Sequence, residues 1–406
     1  MNNTFNFNYG ERYFAEGVSV SNDTHRTGVN NNDLIIGGSG SGKTTGYVSH
    51  LLLNPYGSMV ISDTKGTLCR KFSTYLRAKG YQVHVVDFCN PENSVGYNPL
   101  QYIRQNRKGL PNESDIKKLA SVMVAAHNKE DAYWVNMARR YVSMIVSYVL
   151  EALPEEEHNM LSVLKVHHLM QTEITSEFMD EWCEINPDCF SAKKYTDMRD
   201  TRKAEKVWSS MMEFANEAMD PFDNSELESV FASDNSLDFT MLGKENTVVF
   251  LNSSDHDRSM DMVCNIFNMQ IIQTLIDEAD RHKDGRLEVP CRIILDDFAA
   301  STPIEDFDNL ISIIRSREIS VSIIIQSISQ LNSKYNSEVA RTITNNCAHT
   351  LYLSGIDPET ASFVGYHMNK TPHSILRLAR DKAILISEGE GAKEVEKLKP
   401  CIECPK

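Results

Sequence analysis

The sequence predicts an α/β protein with a mostly parallel central sheet, interrupted by an inserted all-α domain. Three observations carry that prediction. Short apolar runs alternate with helical stretches over residues 33–87 and again from 247 onward, the alternation that builds parallel sheets. Between them, residues 112–219 show helical periodicity and almost no strand signal. The first apolar run, Asp33-Leu34-Ile35-Ile36, leads straight into a glycine-rich loop and then a helical run to Leu53. The expected domains are 1–111 with 236–406, and an inserted helical segment at 112–235.

The loop reads Gly37-Gly38-Ser39-Gly40-Ser41-Gly42-Lys43-Thr44, followed by Thr45. Strand, glycine loop and helix in that order give the structural context of a P-loop as well as its letters. Glycines let backbone N–H groups turn inward around phosphate oxygens. The helix N-terminus behind them adds partial positive charge. Lys43 is expected to reach the β- and γ-phosphates, and Thr44 to hold Mg2+.

Each element follows in order. Residues 1–30 are rich in Asn, Ser and Thr and read as a loosely ordered lead-in with one short strand near Gly17 to Val20. Strands are expected at 59–62 and 82–86, with a helix at 67–79 stopped by Gly80. The helical insertion follows, at 115–126, 131–153, 161–170, 173–184 and 202–219. Its Met and aromatic stripe (Trp134, Met137, Tyr141, Ile145, Tyr148) reads as core. The α/β pattern resumes at 247–251, with a helix at 260–280 and strands at 292–297, 321–325, 350–353 and 383–386.

Composition bounds the function. The chain has 406 residues and a net charge of −15, so nucleic acid would have to be held by a local basic patch. Candidates are Lys193-Lys194 and 199–206, with a solvated helix face as the default reading. The nine cysteines are odd in number and irregularly spaced, which argues against a disulfide framework. Cys401-x-x-Cys404 is half of a zinc pattern and reads as a solvated tail. No apolar run of ~18 residues and no signal peptide is visible.

Two further stretches carry chemistry. Ile293-Ile294-Leu295-Asp296-Asp297 has the form of a Walker B strand. Asp296 would orient the metal through its waters and Asp297 would polarise the attacking water. Arg315, after that strand, suits an arginine finger donated to a neighbouring subunit. Gln326, at the end of 321–325, is placed to sense the γ-phosphate or the attacking water. Ser327 beside it is equally placed to cap the next helix.

Taken together, these stretches resemble the type IV secretion coupling proteins, the TraG/TraD-like family of conjugative DNA-transfer ATPases. Beside the P-loop, the matching pieces are Ser58 to Gly66 (with Thr64 where the family has Pro), Tyr97-Asn98-Pro99-Leu100, Asp131-Ala132-Tyr133-Trp134, Leu295-Asp296-Asp297-Phe298-Ala299, Arg315, Gln326-Ser327-Ile328-Ser329-Gln330-Leu331, Asn346-Cys347 and 355–361. They lie in order between Asn32 and Lys399. The resemblance implies a RecA-like P-loop NTPase domain, ATP and Mg2+ as cofactors, and a helical domain that reads substrate. It also implies a hexamer in which Lys43, Thr44, Asp296 and Asp297 act in cis and Arg315 in trans. Expected partners are relaxase-bound DNA or a secreted protein, and a separate membrane protein of the secretion channel. That membrane protein would hold a cytoplasmic chain at the inner face of the cell membrane, because the sequence starts without the transmembrane helices common in the family. Asp297 stands where the family has Glu. Two other readings stay open: a substrate-docking adaptor that binds ATP with little turnover, and a DNA-pumping ATPase outside secretion.

Overall fold

A computed structural model describes residues 9–125, 131–172, 175–232, 236–299 and 303–401. Its contacts divide the chain into two units: Met1–Cys89, Asp238–Arg258 and Ile271–Lys406 form the first, Asn90–Leu237 and Ser259–Gln270 the second.

The first unit is built on strands β1 (Glu11–Ala15), β2 (Val18–Ser21), β3 (Asp33–Gly37), β4 (Ser58–Asp63), β5 (Gln82–Asp87), β6 (Thr247–Asn252), β7 (Cys291–Leu295), β8 (Ile319–Ile325), β9 (His349–Ser354), β10 (Lys382–Ser387) and β11 (Gly391–Glu396). Nine of them form one sheet in the order β11-β10-β9-β3-β8-β7-β4-β6-β5. The ladders from β9 to β5 are parallel, and β10 runs antiparallel to both β9 and β11. Strands β3, β6, β7 and β8 are buried along their whole length. Both faces are covered, which is why these strands read as continuous apolar runs rather than alternating ones. Parallel pairing brings the C-terminal ends of β3, β8, β7, β4 and β6 to one edge, where open α/β sheets hold their ligands.

The lead-in differs from expectation. From Glu11 it forms the antiparallel hairpin β1–β2; residues 1–8 lie outside the described part. Long-range partners explain the difference. Phe14 enters the core beside Tyr47, and the buried Arg12 guanidinium reaches Asp33 at 3.0 Å and the Asn31 side chain at 2.7 Å. The C-terminal segment also departs from a solvated tail. Cys401 packs against the same core, while Cys404 lies outside the described residues.

The second unit centres on helix Ala132–Ala152, whose buried face includes Met137, Tyr141, Met144, Ile145 and Val149. Tyr141 is fully buried and its hydroxyl meets His167 Nδ1 at 2.9 Å. This unit starts before residue 112. Tyr97 is buried in it, edge-on to Phe267 at 5.0 Å, with its hydroxyl donating to Gln270 at 2.7 Å. The proposed basic stretch is partly engaged: Lys194 lies over the Phe190 ring and 3.9 Å from Asp197. Arg139 donates to the Val124 and Ser121 carbonyls. The side chains of Arg202 and Lys203 lie outside the described part.

Candidate active site

The loop after β3 is shaped by its glycines at two points. A Cβ on Gly37 would sit 2.3 Å from Ser41 Oγ and 3.2 Å from Leu353 Cβ, so a larger residue would force Ser41 to move. Gly42 holds φ +96, a left-handed conformation that side-chain-bearing residues disfavour. The helix behind begins as a π-helical turn, Lys43–Val48, and continues as α-helix Ser49–Leu53. Single π-turns of this kind recur at functional sites. Lys43 arches back over the loop and donates to the Gly37 and Gly38 carbonyls at 2.7 and 3.1 Å.

Across the edge, β7 delivers Asp296 and Asp297. The Thr44 hydroxyl donates to Asp296 Oδ2 at 3.2 Å, and the Asp297 N–H donates to Asp296 Oδ1 at 3.0 Å. Burial, then the neighbouring Asp297 charge, push the Asp296 carboxyl up to about 6. Asp297 itself sits at φ +50, a strained setting for an L-residue and one that clusters at active sites. From the end of β8, the Gln326 amide reaches Asp297 Oδ1 at 3.5 Å, a long contact. Ser327 caps the following helix, accepting from the Gln330 N–H at 3.1 Å. Lys43, Thr44, Asp296, Asp297 and Gln326 therefore share one edge.

Arg315 is elsewhere. It opens the 3-10 turn Arg315–Arg317 that leads into the N-terminal end of β8, and its guanidinium donates to the Gly28 carbonyl. Gly28 precedes the N-terminal end of β3, so Arg315 lies at the edge opposite the P-loop of its own chain.

Two features were missed by reading residues alone. Lys65, just past β4, pairs with Asp255 at 2.9 Å at the same C-terminal edge; its place in the Asp63-Thr64-Lys65-Gly66 stretch was the available signal. At the start of β3, the end away from the loop, Asp33 accepts from Arg12, from Arg292 at 3.0 Å and from the Tyr47 hydroxyl at 2.6 Å. Burial alone would raise the Asp33 pKa; the two guanidiniums hold it below the usual carboxylate value. No sequence pattern announces that network, because the partners of Asp33 lie 14 to 259 residues away from it.

The family model for type IV secretory system conjugative DNA transfer matches residues 7–366. The chain belongs to that family. Solved structures agree in fold. The bacterial conjugative coupling protein TrwBdeltaN70, in its unbound monoclinic form, is 15% identical with a TM-score of 0.70, over 97% of this chain and 89% of that one. TrwB in complex with ADP and Mg2+ is 15% identical with a TM-score of 0.71, over 98% and 91%. VirB4 of Thermoanaerobacter pseudethanolicus is 13% identical with a TM-score of 0.55, over 97% of each chain. No curated protein sequence matches. At these identities the structural likeness establishes the fold shared by this conjugative transfer family, a RecA-like P-loop domain on a mostly parallel sheet.

Proposed function

We propose that the chain is the ATP-binding and ATP-hydrolysing coupling protein of a conjugative type IV secretion system. In this reading it recruits relaxase-bound DNA, or a protein substrate, and helps move it into the secretion channel. The observation that carries the reading is the Thr44–Asp296 hydrogen bond of 3.2 Å. It joins the P-loop helix to the acidic end of β7, the arrangement a Mg2+-nucleotide requires.

The donor set fits a nucleotide phosphate chain with Mg2+. Ser41 Oγ is buried without a hydrogen-bond partner among the described residues. The Lys43 ammonium rests on two carbonyls rather than a carboxylate. The Asp296 carboxylate has its charged form disfavoured until a cation arrives. Backbone N–H groups of Gly37 to Thr45 and the Lys43 ammonium would hold phosphate oxygens; Thr44 and Asp296 would hold Mg2+. When bound, Mg2+ neutralises charge on the phosphate oxygens. Asp297 orients the attacking water and accepts its proton, with Gln326 aligning the same water. Arg315, remote from its own P-loop, is donated to the neighbouring subunit's site in a hexameric ring. A separate membrane protein recruits the ring to the inner face of the membrane. Among the described residues no helix is long and apolar enough to cross a membrane.

The deciding experiment is steady-state ATP hydrolysis by the wild type and Lys43→Ala, with and without single- and double-stranded DNA, over a range of protein concentrations. Lys43-dependent turnover that rises more than linearly with protein and with DNA is expected. ATP binding without Lys43-dependent turnover would instead support the docking adaptor. The strained Asp297, one methylene shorter than Glu, is the observation that keeps that reading in view.

A further inference from the structure

The last described residues run back over the phosphate loop. Past β11, the Lys397 ammonium donates to the Ser41 carbonyl at 3.4 Å, and the Cys401 N–H donates to the Thr45 carbonyl at 3.0 Å. Between them, the Leu398 carbonyl lies 4.0 Å from where a Cβ on Gly46 would be. The strap is fastened from other elements as well. Lys71 donates to the Cys401 carbonyl, and the Lys399 N–H donates to Glu16 at 3.0 Å. Residues 397–401 thus cover the loop and its first helical turn from Ser41 to Gly46.

Lys397 differs from the other lysines near this end of the sheet. Lys382 pairs with Glu396 at 3.0 Å, Lys393 with Glu390 at 3.4 Å and Lys370 with Glu394 at 3.5 Å. Lys397 is half-buried, and among the described residues its ammonium makes one long hydrogen bond, to a carbonyl of the loop itself. Burial lowers its pKa, opposed in part by the more distant Asp381. An ammonium withdrawn from water without a carboxylate against it is costly, and an anion beside it offsets that cost. The strongest anion expected at this loop is the phosphate chain of a nucleotide.

We propose that Lys397 is a second cationic ligand of the bound nucleotide, supplied with Lys43 but from the C-terminal strap. This rests on the nucleotide reading above. Lys397 would leave its weak carbonyl contact for a charge-assisted one, which is shorter and about twice as strong. Seating of the strap and occupancy of the loop then favour each other.

The test is calorimetric binding of ADP with Mg2+ to the full chain, at low and moderate salt. Lys397→Met keeps the aliphatic stem and should weaken ADP about 10-fold, with a shallower salt dependence and an unchanged melting temperature. Lys397→Arg should bind within about threefold of the wild type, since it retains the cation. If Lys397→Met binds ADP as tightly as the wild type, or more tightly, the strap is only a structural fastening and the inference is wrong. If the wild type itself fails to bind ADP, the nucleotide reading falls and takes this inference with it.

Discussion

The Thr44 hydroxyl donates to the Asp296 carboxylate at 3.2 Å, so the residue after the P-loop lysine and the end of β7 meet directly. Both groups are hard oxygen ligands of the kind Mg2+ selects. Removing either should leave the phosphate loop intact and disable only the metal's contribution. In Thr44→Ala and Asp296→Asn, ADP should bind equally well with and without Mg2+. In the wild type, Mg2+ should tighten binding by about 10-fold or more, the scale on which metal sites respond to loss of a supporting group. Fluorescence titration with and without EDTA reads the difference. Retained Mg2+ dependence in both variants would remove these residues from the metal site.

Arg315 sits with its guanidinium on the Gly28 carbonyl, away from its own phosphate loop. A finger role therefore requires a second subunit. Arg315→Ala should cut turnover of the assembled protein by about 10³-fold or more, while leaving ADP affinity within about twofold. Mixing gives a sharper check. Lys43→Ala and Arg315→Ala proteins, each inactive alone, should recover part of the activity when combined, because some junctions then hold an intact Lys43 and an intact Arg315. Mixtures that stay inactive under assembling conditions would argue that Arg315 is not donated in trans.

What could be read from the sequence was whatever is encoded locally. The P-loop, the Asp296-Asp297 strand end and the Gln326 strand end are contiguous patterns. Their strands are buried on both faces and so announce themselves as apolar runs. The rest depends on distant partners. The hairpin Glu11 to Ser21 reads as a loosely ordered lead-in with one short strand near Gly17 to Val20 until Arg12 is seen on Asp33. The second unit begins at Asn90 rather than 112 because Tyr97 finds Phe267 and Gln270, about 170 positions away. Cys401 looks like the end of a tail until its N–H is found on Thr45.

The buried cluster at the start of β3 yields a stability prediction. Among the described residues Asp33 is the one carboxylate paired with both Arg12 and Arg292, all three essentially inaccessible. Asp33→Asn keeps the shape but leaves two buried guanidiniums without their counter-charge. The expected loss is about 3–5 kcal/mol in urea unfolding. Arg12→Met should cost less, since Arg292 keeps its partner. Because Tyr47, in the π-turn behind Lys43, also donates to Asp33, Asp33→Asn should weaken ADP binding in addition to stability. A variant as stable as the wild type would contradict this account of the cluster.

His349 on β9 gives the pH dependence. Its Nδ1 meets Ser387 Oγ at 3.0 Å, and its Nε2 is buried without a hydrogen-bond partner among the described residues. Burial pushes its pKa down to about 4; Asp33 pulls the other way, and the Arg12 and Arg292 charges add to the depression. In the unfolded chain the imidazole returns to about 6.5. Between those values the unfolded state takes up a proton that the folded state refuses. The contribution to stability is therefore fully present above about pH 6.5 and is lost as pH falls toward 4. The full span is worth up to about 3 kcal/mol. Asp296, raised to about 6, acts in the opposite direction over part of this window, so the measurement must be a difference between proteins. His349→Gln carries no titrating ring. Urea midpoints of wild type and variant should diverge at neutral pH and converge as pH is lowered from 6.5 to 4.5, with the wild type losing more. Parallel pH profiles for the two proteins would show that His349 takes up its proton at the same pH in the folded and unfolded states, against this account.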